Sequence, residues 1–248
     1  MVPYAYGVNA GEYGNDALGR PEDDDSDLDG EDTVCVAERI GVHAQTDAAP
    51  GPGQYSEELY NPLYPTSPCI SELNIVLHLT HLKTTLDDAI DTLDPSLTTP
   101  SGGYSVSATN GHIGVAWGWY SLSPKWRGVW PGASSPLPMN SVRDRKVMVF
   151  MSDGVMNAPI LRDHTLGDAA EQTEAICDKA KRAGVEIFTI GFELSSITPT
   201  SDRESAEDTM EYCATSIDHF FLAEDATELQ QAFDDIGALL FLGTAITN

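Results

Sequence analysis

The chain has 248 residues, a length that suits one sizeable domain or one domain with long insertions. Hydrophobic residues make up 41%, enough to bury a core, which excludes a globally disordered chain. With 39 Asp and Glu against 13 Lys and Arg the net charge is -26, so nucleic acid and anionic lipid surfaces are repelled and make poor partners, whereas cations and basic proteins are favoured.

Residues 2–9 are apolar and aromatic and predict a strand that starts abruptly. Residues 10–70, rich in Gly, Pro and acids, predict a long loop region; within it 22–32 is mostly carboxylate, and charge that dense opposes compaction. A second strand is predicted over 73–79, then a helix over 83–93 with Leu86, Ile90 and Leu93 on one face and Pro95 at its end. After a Ser/Thr/Gly-rich loop over 96–109 comes a helix at about 112–121, then a Pro/Trp/Gly loop to about 142. The run 146–151 is continuously apolar after Lys146, as in a parallel strand buried on both faces, and Ser152-Asp153-Gly154 stops it. An amphipathic helix over 170–183 ends at Gly184, a C-cap. A strand over 185–192, a helix over 203–216, a short strand over 219–223 and a helix over 227–240 follow. Three alternations of strand and helix predict a parallel α/β sheet covered by helices. No signal-peptide pattern opens the chain, and the last apolar stretch, 236–246, is too short to span a bilayer.

The four cysteines, Cys35, Cys69, Cys177 and Cys213, form no CxxC pair, which argues against zinc-ribbon and thioredoxin chemistry. Three connectivities are open. Pairing by halves, Cys35 with Cys69 and Cys177 with Cys213, is the expectation, and it implies an oxidising compartment. Four separately buried thiols are the alternative.

Asp153, placed directly after a buried strand, stands where open α/β sheets form ligand sites and can hold a cation; a turn-forming Asp-Gly explains it equally well. Thr109 opens a helix and reads alone as an N-cap. Asp25-x-Asp27-x-Asp29-Gly30 imitates the start of an EF-hand loop, but Val36 stands where the bidentate Glu belongs. Trp117 and Trp119 are expected in the helix–sheet core, whereas Trp126 and Trp130, on a loop, are candidate interface residues. His78, His81 and His112 read as surface or core histidines. GxSxG, HExxH and P-loop patterns are absent, and Val155 stands where a phosphatase's second Asp would be.

Together these pieces resemble a family. Thr109-Asn110-Gly111-His112-Ile113-Gly114-Val115-Ala116-Trp117-Gly118-Trp119 followed by Leu122-Ser123-Pro124 is similar to the von Willebrand factor A-like domain of TadG-type proteins, of the bacterial tight-adherence (Flp) pilus assembly system. Val2-Pro3-Tyr4 with Val8-Asn9 resembles the family's second strand, and Cys35-Val36-Ala37-Glu38-Arg39 with Thr46-Asp47 its inserted loop. The segments 146–154 and 183–192 and Tyr212-Cys213-Ala214 follow in the same order, so the resemblance covers nearly the whole chain. It implies a single, partial A-like domain over 1–248: a Rossmann-like, mostly parallel sheet with helices on both faces and a long acidic, loop-rich insertion at about 10–70.

A-domains build a metal-ion-dependent adhesion site from three loops. Thr109 matches the second and Asp153 the third. The first, Asp-x-Ser-x-Ser, has no counterpart, because Asp24-x-Ser26 is followed by Leu28 and no apolar strand precedes it. The family's first strand and helix are thus expected to lie before residue 2, with an envelope anchor further upstream. In the family's order 3-2-1-4-5-6 the missing strand is central, so the strands over 2–9 and 146–151 must pair directly, leave a gap or recruit it. Mg²⁺ or another divalent cation is expected to bind weakly, since two side-chain oxygens fall short of six ligands. The resemblance implies a non-enzymatic protein of the periplasm or cell envelope that contacts pilus-assembly or other envelope proteins. The rival readings are a truncated gene product without independent function and a cation-dependent hydrolase centred on Asp153.

Overall fold

The computed structural model describes residues 1–5, 7–19, 35–39, 41–51, 56–58, 74–93, 109–139, 144–157 and 166–245. The acidic run 22–32, with its EF-hand-like start and Asp24-x-Ser26, lies outside them, as do Cys69 and Leu73.

The second half follows its sequence pattern closely. Strand β4 (Lys146–Ser152), helix α4 (Ala169–Arg182), strand β5 (Val185–Phe192), helix α5 (Thr200–Cys213), strand β6 (Phe220–Ala223) and helix α6 (Ala226–Ala245) follow one another. The three strands form one parallel sheet in the order β4-β5-β6, with Lys146 opposite Val185 and Thr189 opposite Phe220. Helix α4 starts at a capping box, in which Asp168 accepts from the Glu171 N–H and Glu171 accepts from the Asp168 N–H. It ends where Gly184 takes φ +96, a conformation that costs glycine little. Ile176, Cys177 and Ala180 of α4 and Met210 and Cys213 of α5 pack on one sheet face with Met148, Phe150 and Ile187. Ala232 and Ile236 of α6 pack on the other with Phe188, Ile190 and Ala223. The fold class is therefore α/β with helices on both faces of a parallel sheet.

Burial of β4 on both faces is not observed. Met148, Phe150 and Ser152 are buried, but Val149 and Met151 are exposed: α6 packs mainly on β6 and β5, and of the outer face of β4 only Val147 packs against its cluster.

The first half departs from expectation. The strand at the amino end is only β1 (Val8–Asn9), and it pairs antiparallel with β2 (Cys35–Arg39), which pairs with β3 (Ser56–Glu58). The region 10–70 is thus not one long loop: a 3-10 turn at Gly11–Tyr13, the short helix α1 (Gly14–Leu18), β2 and β3 interrupt it. Composition hid β2 because its short apolar run, Cys35 to Ala37, gives way to the charged Glu38 and Arg39, both of which are buried. The expected strand over 73–79 is a single parallel bridge, Asn9 with Ile75, backed by the Val76 N–H to the Asn9 carbonyl at 2.9 Å. Helix α2 (Lys83–Asp91) is on the surface, with Ile90 exposed, and Leu93 lies exposed beyond its end. Helix α3 (Gly111–Leu122) is buried along almost its entire length. It packs against α4, β4 and the β1–β2 layer, so it joins the two halves.

Candidate functional site

The site expected from sequence lies where three chain segments converge. Ser152 ends β4, and its hydroxyl accepts from the Gly154 N–H at 3.3 Å, which closes a tight turn and leaves Asp153 exposed at the carboxyl end of the strand. The N-cap of α3 is Asn110 rather than Thr109; Asn110 is fully buried, and its N–H donates to the Ala5 carbonyl at 2.8 Å. Thr109, one residue outside the helix, donates its N–H to the Asn157 side-chain carbonyl at 3.0 Å. A Cβ at Gly154 would lie 3.4 Å from the Thr109 hydroxyl, so the Thr109 side chain borders the Asp153 turn. The two residues singled out from sequence are brought together.

Sequence reasoning missed Tyr4. Its phenol donates to the Met151 carbonyl at 2.9 Å and its ring lies 5.9 Å from that of Phe150. Burial pushes the phenol's pKa up, the Ser152 hydrogen bond opposes this and the Asp153 charge adds to it, so Tyr4 remains a protonated donor beside the turn. Gly114 carries the signal that could have exposed it: a Cβ there would meet the Tyr4 ring at 2.6 Å. Gly111 plays a similar part, because a Cβ would meet the Met156 sulfur at 2.3 Å. Glycines on α3 thus let the residues around the site approach the helix backbone.

Among the described residues the donor set does not make a closed cation site. Thr109 and Asp153 offer one hydroxyl and one carboxylate, and the Ser152 hydroxyl is engaged with the Gly154 backbone. Among the described residues no group of three or more His, Cys, Asp or Glu is placed to hold a metal. Six oxygens around Mg²⁺ would have to come mostly from water or from another molecule.

The tryptophans are not an interface. Trp126 is 0% and Trp130 4% exposed, which corrects the expectation for both. Trp126 stacks on Tyr120 at 4.1 Å and lies 5.8 Å from Trp117, and the Trp130 indole N–H donates to the Tyr120 carbonyl at 3.1 Å. The loop that carries them folds back because Arg39 of β2 lies over both Tyr120 and Trp126 at 5.5 Å. Asp47 secures the same corner by accepting from the Ser123 hydroxyl at 2.6 Å and from Lys125 at 2.7 Å. Trp117 and Trp119 are buried, as expected.

Of the histidines, His112 is buried 3.6 Å from the Glu38 carboxylate and His78 shares a 2.8 Å hydrogen bond with Tyr13; neither belongs to the Thr109–Asp153 corner. The expected disulfide between Cys177 and Cys213 is present and joins α4 to α5 inside the core. The pairing expected of Cys35 involves a residue outside the described ones.

No family model and no curated protein matches the chain. Solved structures show distant likenesses. The pilus adhesin SpaC from Lactobacillus rhamnosus GG in its open conformation is 18% identical at a TM-score of 0.39, over 62% of this chain and 21% of its own. A second form of that adhesin gives 18% and 0.36, over 52% and 19%. Proximal thread matrix protein 1 from the mussel byssus gives 18% and 0.37, over 64% and 33%. The chain spans at most a third of the length of these structures. Likenesses of this size decide neither fold family nor role.

Proposed function

We propose that the chain is an A-type domain resembling that of TadG-type proteins, and that it acts without catalysis, through protein–protein contact in a bacterial cell envelope. The observation that carries this reading is the meeting of Thr109 with the Ser152-Asp153-Gly154 turn at the carboxyl end of β4. On this reading they are the two adhesion-site loops that the sequence motifs supply, and their meeting in space supports it. A side-chain carboxylate from a partner, with water, would raise the oxygen count around a cation held there; the chain alone holds it weakly. The buried Cys177–Cys213 disulfide supports an oxidising compartment. Among the described residues no helix is long and apolar enough to cross a membrane.

Two measurements test this. In calorimetry with Mg²⁺ alone, the chain should show millimolar or weaker binding, as an order-of-magnitude estimate from ligand count. Micromolar binding that vanishes in Asp153→Ala would overturn the incomplete-site part. A photo-crosslinking residue at Asn157 should capture envelope proteins in bacteria, whereas one at Ile217, exposed on a distant loop, should not. Equal capture from both positions would sink the assignment of the contact face.

A further inference from the structure

We propose that the corner between β2, α3 and α4 is a binding site for one buried water molecule, which bridges the His112 imidazole, the Glu38 carboxylate and the Trp117 indole N–H and so fastens the β1–β2–β3 layer to α3. The proposal does not depend on the Thr109–Asp153 reading. A small cavity lies in this corner, walled by Glu38 and Arg39 of β2, Ile176 of α4, and His112, Trp117 and Tyr120 of α3. All six residues are more than nine-tenths buried.

The polar groups of the corner do not satisfy one another. The His112 Nε2 lies 3.6 Å from the Glu38 Oε2, close enough for charges to interact but beyond the roughly 2.7–3.2 Å of a hydrogen bond. Among the described residues neither ring nitrogen of His112 has a hydrogen-bond partner, and the Trp117 indole N–H has none. Buried groups of this kind are costly when unpaired, and folded proteins satisfy them with protein or with ordered water. Arg39 cannot serve the indole, because it only donates; its guanidinium gives hydrogen bonds to the Ala48 and Ala49 carbonyls at 2.6 and 3.2 Å.

Size and lining select the occupant. The centre of a water molecule has about 10 Å³ in which to move, which is near the threshold for one water and too little for a larger ligand. Apolar cavities of this size stay dry, whereas polar ones hold a water that makes about three hydrogen bonds. Here the water accepts from the Trp117 N–H and donates to the Glu38 carboxylate. Its third bond goes to His112, whose ring nitrogens can donate or accept. A bond made through such a water is nearly as favourable as a direct one, so Glu38 of the layer and His112 of the helix are joined without touching.

The test is water–protein NOE spectroscopy on the full, isotopically labelled chain. The His112 ring protons and the Trp117 indole N–H should both show cross-peaks to water, with the sign of a long-lived bound molecule. The Trp130 indole N–H, which donates to the Tyr120 carbonyl, should show none. In His112→Leu the Trp117 cross-peak should disappear, and in His112→Gln, which keeps a polar end, it should persist. Absence of both wild-type cross-peaks would overturn the proposal and leave a direct His112–Glu38 charge pair. Cross-peaks that vanish in Tyr120→Phe would overturn it too, because the signal would then be relayed by exchange with the Tyr120 hydroxyl. Persistence of the Trp117 peak in a folded His112→Leu variant would remove His112 from the site. Should that variant not fold, the wild-type and Tyr120→Phe spectra decide.

Discussion

The Thr109 N–H donates to the Asn157 side-chain carbonyl at 3.0 Å, so the loop before α3 is tied to the loop after β4 by a side chain that belongs to neither motif. Asn157→Leu removes the acceptor. Such a bond near the surface contributes about 0.5–1.5 kcal/mol, too little to unfold the domain. The expected result is faster hydrogen exchange at the Thr109 amide with the melting temperature almost unmoved, and Asn157→Asp, which keeps an acceptor, should retain the protection. Unchanged Thr109 exchange in Asn157→Leu would show that the loops are held by something else.

The legible parts of the fold were those in which one local signal and one long-range need agree. Residues 185–192 are mostly apolar, with Glu186 and Thr189 the exceptions, follow a helix and a glycine, and form β5 with those bounds because β5 is the central strand and largely buried on both faces. The same reasoning overstated β4, whose apolar run is identical in kind but is covered on one face only; composition cannot count neighbours. Residues 10–70 were opaque for the opposite reason. Arg39 and Asp47 are charged and read as surface, yet both are buried by partners distant in sequence, the Tyr120–Trp126 stack and Ser123. The site was half legible. Thr109 and Asp153 stand in recognisable site motifs, whereas Val2-Pro3-Tyr4 reads only as part of a strand, and Tyr4 enters the site through its hydrogen bond to the Met151 carbonyl and the approach of its ring to Gly114.

That approach makes a second prediction. In an exposed helix interior, Gly→Ala is worth about 1 kcal/mol of stabilisation. At Gly114 the added methyl would sit 2.6 Å from a ring carbon of Tyr4, and overpacking of this kind costs about 1–3 kcal/mol. The clash should win, so Gly114→Ala lowers the midpoint in urea denaturation. In a Tyr4→Ala background the clash is gone and the same substitution should become neutral or stabilising, a non-additivity that contact between the residues requires.

Trp126 was a surface candidate by sequence and is a core residue by position. Trp126→Ala should therefore cost about 3–5 kcal/mol, as for other buried aromatic truncations. It also removes one of the two rings, Tyr120 and Trp126, over which Arg39 lies. Chemical denaturation and near-UV circular dichroism read both effects. A variant with wild-type stability would mean that the indole is solvated and the stacking of the loop is wrong.

Cys177 and Cys213 are separated by 36 residues in sequence, and a loop of that size corresponds to about 4 kcal/mol of restriction on the unfolded chain. The double variant Cys177→Ala/Cys213→Ala should lose stability of that order, with the α4–α5 contact loosening first. Non-reducing peptide mapping should recover the linked pair. Its recovery as two free thiols from cells would argue against an oxidising compartment.

Helix α4 carries an electrostatic liability that pH should reveal. Burial raises the carboxyl pKa of Glu174, and the charges of Asp168, Glu171, Asp208 and Asp178 raise it further. A carboxyl whose pKa is higher folded than unfolded binds its proton more tightly in the native state. Its ionisation therefore destabilises the fold, fully at neutral pH and not at all once the pH is below the unfolded value. Glu174→Gln should raise the melting temperature at pH 7. The gain should shrink as the pH falls through the carboxyl range, where wild-type Glu174 takes up its own proton. Salt should shrink the part due to the four neighbouring carboxylates, while the part due to burial persists. A gain independent of pH would trace the effect to helix packing and not to charge, and a loss at pH 7 would mean that Glu174 has a cationic partner in solution.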